Sequence, residues 1–472
     1  MFRKLAALAT ASVASLALIL PVGIASAQTT AYTTSFTTSV TYQNVGTGTA
    51  TVSFQFYPQG SSTAVTFNSS LGANAGSSLF IGNVTGISSG FSGSGVISSD
   101  QPVVATLVQV PASASAVKNR PLTNGFDSSA GATKFLLPTV LKNNFNTTTQ
   151  FSVQNVDSAA ANVTVKFFAV GNTNAVYSET YNNLPPGSSK YWDAGTISQL
   201  GSTFNGSVTV EATGRVVASA LELSTNGTAA SGFDGVSSGA NTFYMASALC
   251  DFGAAKNRTS YAVQNTDSAN TANVTVTYSN GATQSASVAP GGKSSFVTCN
   301  ATGMTAGFNG SATITSTGAQ IAAIGKVGQG GLSTAFNGAA TGSSKLALPY
   351  IRWSESRFNT GNRDRQRAFI AIQNIGGPLA AGEATVKYYD KTGALVGTQS
   401  LGAMATGGKT NSNPFSAIGA AAAEFGYYSD NTTGGSAIVE GPAGSQLVAV
   451  VRIQSAPASG NVGEDYNGIA VQ

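Results

Sequence analysis

The feature that most constrains this chain is an internal repeat. A short strand ending in Gln-Asn recurs as Val40-Thr41-Tyr42-Gln43-Asn44, Phe151-Ser152-Val153-Gln154-Asn155, Tyr261-Ala262-Val263-Gln264-Asn265 and Ile370-Ala371-Ile372-Gln373-Asn374. The asparagines stand 111, 110 and 109 positions apart, so one unit of near-constant length is copied four times. Each copy passes through the same landmarks. An alternating strand (Asn162-Val163-Thr164-Val165, Asn273-Val274-Thr275-Val276) leads to a Pro-Gly turn at Pro186-Gly187 or Pro290-Gly291. An aromatic with Gly-Ser follows, as Phe91-Ser92-Gly93-Ser94, Phe204-Asn205-Gly206-Ser207 and Phe308-Asn309-Gly310-Ser311; the fourth copy keeps only Gly435-Ser436. Apolar strands at 102–108, 215–221, 320–327 and 446–453 close the units.

These pieces are short, rich in Val, Thr, Phe and Tyr, and alternate with period two, as half-buried strands do. The third copy holds seven, at 244–249, 259–265, 273–279, 284–290, 293–298, 310–316 and 319–327. Strands of that length and spacing predict an all-β chain of four tandem immunoglobulin-like antiparallel β-sandwich domains in an elongated array. The expected boundaries are a signal peptide at 1–27, repeat 1 at 28–116, repeat 2 at 133–226, repeat 3 at 241–330, repeat 4 with insertions at 344–457, and a tail at 458–472. The alanine-rich stretch 415–425 is the one place where a short helix fits.

Between copies, Gly125-Phe126-Asp127, Gly232-Phe233-Asp234 and Ala335-Phe336-Asn337 sit in Gly/Ser/Ala stretches, and Tyr466-Asn467-Gly468 reads as a fourth joint. A pure Gly/Ser linker is a flexible coil. A recurring aromatic argues instead for joints that dock, giving a semi-rigid rod. Repeat 1 is defective at its start: Pro138 lies 17 residues before Asn155, but 17 before Asn44 is Ala27, inside the leader. A missing leading strand leaves a sheet edge open to strand addition, for which residues 468–472 are a candidate donor.

Composition narrows the chemistry. Of 472 residues 9% are charged and none is histidine, which removes Ser-His-Asp and Cys-His catalysis and His-ligated metals. The acids form no pair repeated across copies, and Gly86-Ile87-Ser88-Ser89-Gly90 matches a nucleophile elbow by letter only. The expectation is a non-enzyme with no cofactor and no metal. Residues 1–27 carry Arg3 and Lys4, an apolar run and Ala25-Ser26-Ala27, the pattern of a cleaved secretory leader. Removing it lowers the formal charge from +4 to +2, so nucleic acid is not an expected partner. No later apolar run is long enough to span a membrane. Export permits a disulfide between Cys250 and Cys299, the only cysteines, and closing a loop of that size stabilises a fold by about 4 kcal/mol.

Asp157 and Asp267 follow Gln-Asn in equivalent places and read as turn residues rather than calcium ligands. Eleven Asn-x-Ser/Thr sequons occur, of which Asn205 and Asn309 belong to the repeat motif. Half of the ten arginines, Arg352, Arg357, Arg363, Arg365 and Arg367, fall within 16 residues of repeat 4 beside Trp353. Arginines so placed suit an anionic glycan, with Trp353 and Tyr350 as stacking surface; the plainer account is a solvated loop balanced by Glu355 and Asp364, with the aromatics in the core.

The series of Leu-Pro strand, Val-Gln-Asn, Val-Thr-Val, Pro-Gly turn and Phe-Asn-Gly-Ser resembles the tandem Ig-like β-sandwich repeats of exported bacterial surface proteins. The resemblance covers nearly all of 28–457 and implies envelope, adhesion or matrix roles; it transfers no catalytic residue. The expected protein is a secreted or cell-surface structural component whose partners are itself or other envelope proteins. The alternative is a polysaccharide- or wall-binding protein using the arginine-rich loop of repeat 4.

Overall fold

The computed structural model describes residues 35–112, 116–117, 119–329, 332–358, 365–419, 423–430, 432–455 and 462–471. The proposed leader and Arg363 lie outside them.

Repeat 3 shows the plan. One sheet joins Thr242–Cys250, Phe308–Thr317, Ala272–Tyr278 and Thr283–Val288 in that order; the other joins Lys293–Val297, Arg258–Asn265, Ile321–Gln329 and Leu332–Asn337. All pairs are antiparallel. The alternation that marks the strands sorts their side chains: Val274, Val276 and Tyr278 turn inward with Tyr261, Val263 and Ile314, and all are buried. Each such side chain contributes about 1.5–3 kcal/mol on burial. Cys250 and Cys299 are disulfide-bonded, tying the end of one sheet's first strand to the turn after the other sheet's Lys293–Val297. The seven expected strands are present, and Leu332–Asn337 is an eighth.

Repeats 1 and 4 repeat this order, with Gly76–Phe80, Phe36–Asn44, Val103–Pro111 and Leu122–Asn124 forming one sheet of repeat 1. In repeat 2 the sixth and seventh strands run together as Phe204–Ser224, merging the two sheets. Repeat 1 lacks the leading strand among the described residues, so Gly93–Ser99 pairs only with Ala50–Pro58 there.

The asparagine of Gln-Asn explains its recurrence. Asn265 Nδ2 donates to Asn270 O and Val288 O, and its Oδ1 accepts from Asp267 N. Asn44, Asn155 and Asn374 make the equivalent bonds, all from fully buried positions. One side chain thus satisfies the loop after the second strand and the end of the fourth, and staples the two sheets. Asp157 and Asp267 continue these turns by accepting backbone N–H groups, as their sequence position implied.

Two expectations need correction, and the short helix is present over a narrower span. The array is not elongated: Val108 and Leu122 of repeat 1 pack in one apolar cluster with Leu346, Leu348 and Tyr466 of repeat 4, and Val45 packs with Ala347 and Ile438. The chain therefore closes on itself in a ring: each repeat docks on the next, and the fourth meets the first. The tail is no free donor, since Ile469–Ala470 pairs with Lys345–Leu348 of its own repeat. The helix is a single five-residue turn, Pro414–Ile418, capped by the Asn413 side chain and stopped at Gly419, whose φ is 59°.

Candidate functional site

The chemistry-bearing side chains collect at the junctions between repeats. The Phe-x-Gly-Ser motif is the docking element. A Cβ on Gly93, Gly206 or Gly310 would lie 1.9, 2.1 or 2.3 Å from Tyr57 O, Phe168 O or Ser279 Oγ, so only glycine fits. In Phe204-Asn205-Gly206 and Phe308-Asn309-Gly310 the Phe ring folds over the glycine. The serine then reaches across: Ser94, Ser207 and Ser311 Oγ donate to the carbonyls of Gly187, Gly291 and Gly407 in the next repeat, at 2.6, 3.0 and 3.0 Å. Those three glycines hold φ of 76°, 66° and 76°, which presents their carbonyls to the neighbour.

Two lysines reinforce two junctions. Lys293 Nζ of repeat 3 donates to Asn205 Oδ1 at 2.8 Å and Thr139 Oγ1 at 2.9 Å in repeat 2. Lys409 Nζ of repeat 4 donates to Asn309 Oδ1 at 2.7 Å and Gly310 O at 3.2 Å in repeat 3. Desolvation lowers both to a pKa of about 7; at Lys293 the nearby Lys326 charge adds to this and Glu222 opposes it. Asn205 and Asn309, read in the sequence as sequon or turn residues, therefore also act as acceptors between repeats. Lys326 in turn pairs with Glu222 across the same junction at 2.7 Å.

On the inner side of the ring stand the four edge strands Leu122–Asn124, Ala230–Asp234, Leu332–Asn337 and Val462–Asn467, one per repeat, each packed on the next and the last on the first. Pairing with the closing strands aligns Asn124, Asp234, Asn337 and Asn467, opposite Thr106, Ser219, Ile324 and Val450. The first joint is thus Asn124-Gly125, three residues earlier than alignment on its phenylalanine suggests. The Asn/Asp-Gly dipeptide common to all four joints was the signal that would have found this axis. Beside it, burial raises Glu464 to a pKa of about 8, while Asp465 is held by Arg452 at 2.7 Å.

The arginine-rich segment is largely satisfied by its own repeat. Arg352 is buried and donates to Ile351 O and Gly435 O. Arg367 pairs with Glu355 at 3.0 Å and lies over the Trp353 ring. Arg365 lies over Tyr427, and both Arg365 and Arg357 approach Glu424, at 3.8 and 3.5 Å. Trp353 and Tyr350 are buried, 5% and 6% exposed, so they fill the core rather than a sugar platform. Only Arg357, with its side chain 54% exposed, faces solvent extensively among these described arginines.

A polar groove of about 560 Å³ lies where repeats 2 and 3 meet, lined by Lys134, Asn241, Thr266, Asp267 and Gln320 among others. Lys134 Nζ spans it to Thr266 O at 3.1 Å. Among the described residues the one cluster with metal-ligand spacing is Cys250, Asp251 and Cys299, whose sulfurs are spent on the disulfide. No helix among the described residues is long and apolar enough to cross a membrane. No known protein family matches the chain, and no curated protein is detectably similar to it.

Proposed function

We propose that this chain is a non-enzymatic, exported structural component of a cell surface or extracellular matrix, built from four Ig-like sandwiches locked into a ring. Each repeat keeps the second-to-fifth and third-to-sixth strand pairs of an immunoglobulin domain. The outer strands are exchanged: the seventh lies beside the second in every repeat, and in repeats 2, 3 and 4 the first lies beside the sixth. The observation that carries the functional reading is where the costly groups go. Lys293 and Lys409 and the motif serines bridge repeat to repeat rather than converging on a cleft. A surface rich in Ser, Thr, Asn and Gly with few charges packs against copies of itself with little repulsion. Electron microscopy of the purified mature chain and of the native surface tests this. Four-lobed particles that assemble into lattices, sheaths or filaments are expected; particles dispersed as monomers in both settings overturn it. Binding of the full chain to wall polysaccharide that is lost in R357A would favour the glycan-binding alternative, but the internal pairing of its neighbours gives that reading less support.

A further inference from the structure

The four aligned residues of the inner strands form a cycle of side-chain to backbone hydrogen bonds with one member out of kind. Asn337 Nδ2 donates to Asp234 O at 2.6 Å, Asn467 Nδ2 to Asn337 O at 2.8 Å, and Asn124 Nδ2 to Asn467 O at 2.9 Å. In the opposite sense the side-chain oxygens accept: Asn124 N donates to Asp234 Oδ2 at 3.0 Å, Asp234 N to Asn337 Oδ1 at 3.2 Å, and Asn337 N to Asn467 Oδ1 at 2.8 Å. The symmetry calls for a fourth donor, from residue 234 to Asn124 O. Residue 234 is an aspartate, and its remaining oxygen, Oδ1, is enclosed and has no hydrogen-bond partner. An ionised carboxylate has no proton to give, and would hold a charge where the other three positions place an amide N–H.

We infer that Asp234 serves in this cycle as the neutral acid, its Oδ1 hydroxyl donating to the Asn124 carbonyl, so that the link between repeats 1 and 2 at the ring's inner face closes only when a proton is bound. The surroundings favour that form, since burial raises Asp234 to a pKa of about 7 against the single opposing bond from Asn124 N. No free cation is aimed at it among the described residues. On the strand it pairs with, Glu222 is engaged by Lys326. On the Val462–Asn467 strand, Asp465 is engaged by Arg452, and Glu464 accepts from Arg120 N. Asp127, just past the first joint, accepts from Ser129 N. Leu332–Asn337 and Leu122–Asn124 carry no titratable side chain.

The sign follows from linkage. A carboxyl near 3.8 in the open form and about 7 in the closed form stabilises closure fully below pH 4 and loses that contribution as pH rises to 7. The test compares full-length wild type, D234N and E464Q by hydrogen exchange of the peptides containing Asn124 and Asp234 at matched pH. The expected result is a local opening constant in wild type that rises tenfold per pH unit, relative to D234N, across that window and then levels. Infrared spectra provide a second readout that does not depend on any variant of Asp234: a carboxylic-acid C=O band that titrates near pH 7 and persists in E464Q. Equal pH dependence in wild type and D234N, or the absence of that band in E464Q, overturns the inference.

Discussion

The junction between repeats 3 and 4 and the one where repeat 4 meets repeat 1 use equivalent surfaces and hold them differently. At the first, Lys409 and Ser311 supply side-chain bonds. At the second, Ser436 stands where Ser311 stands, but its hydroxyl is buried without a partner, and what holds the faces is apolar contact around Val45, Ala347 and Ile438 together with two inner bonds, Asn124 Nδ2 to Asn467 O and Arg120 N to Glu464. Repeats 3 and 4 are also consecutive in the chain, whereas repeats 4 and 1 are not. The clamps of the Gly-Ser motif are thus found where the backbone already holds neighbours together, and at that outer position the closing contact relies on apolar surface that needs no exact angular match.

Four substitutions test that contrast, with Trp353 fluorescence in a W192F background reporting repeat 4. The largest effect belongs to G310A, whose Cβ would meet Ser279 Oγ at 2.3 Å and the Phe308 ring at 2.4 Å. A loss of about 3 kcal/mol in urea unfolding is expected, and wild-type stability would mean the motif is not the docking element. Next is K409M, which strands Asn309 Oδ1 and Gly310 O and costs about 2 kcal/mol at pH 9, where the lysine is neutral. Because Lys409 is lowered from 10.5 to about 7, the unfolded chain binds the extra proton between those values. Wild type gains stability from this site as pH rises through that window; K409M does not, so the penalty shrinks at pH 6. S311A removes one bond to Gly407 O and is expected to cost about 1 kcal/mol. S436A is smallest: deleting a buried hydroxyl without a partner leaves stability unchanged or slightly raised. Equal losses for S311A and S436A would erase the distinction between the two junctions.

Much of the repeat was legible. Gln-Asn, the Pro-Gly turns and Phe-Asn-Gly-Ser mark local geometry, and local geometry is written in adjacent residues: a positive φ, a glycine under an aromatic ring, an amide that closes its own loop. Ring closure was not legible, because it depends on how one repeat docks on the next, through contacts such as Ser207 with Gly291 that lie 84 positions apart. The arginine segment was legible in part: Glu355 lies close by in the sequence and pairs with Arg367, and Trp353 and Tyr350 are buried, as the plainer account had it. Five arginines in 16 residues look like an excess charge until Glu424 and Tyr427 arrive from elsewhere in the fold. Asp234 was visible only as part of a joint, since its oddity shows against three asparagines that the fold, not the sequence order, brings face to face.

The seam between repeats 4 and 1, where the motif serine makes no bond, also sets what its own affinity must be. The three other junctions hold its two faces at a high effective concentration, so the faces are partners in an intramolecular equilibrium rather than two molecules searching for each other. A contact too weak to dimerise free repeats then suffices to keep the ring shut.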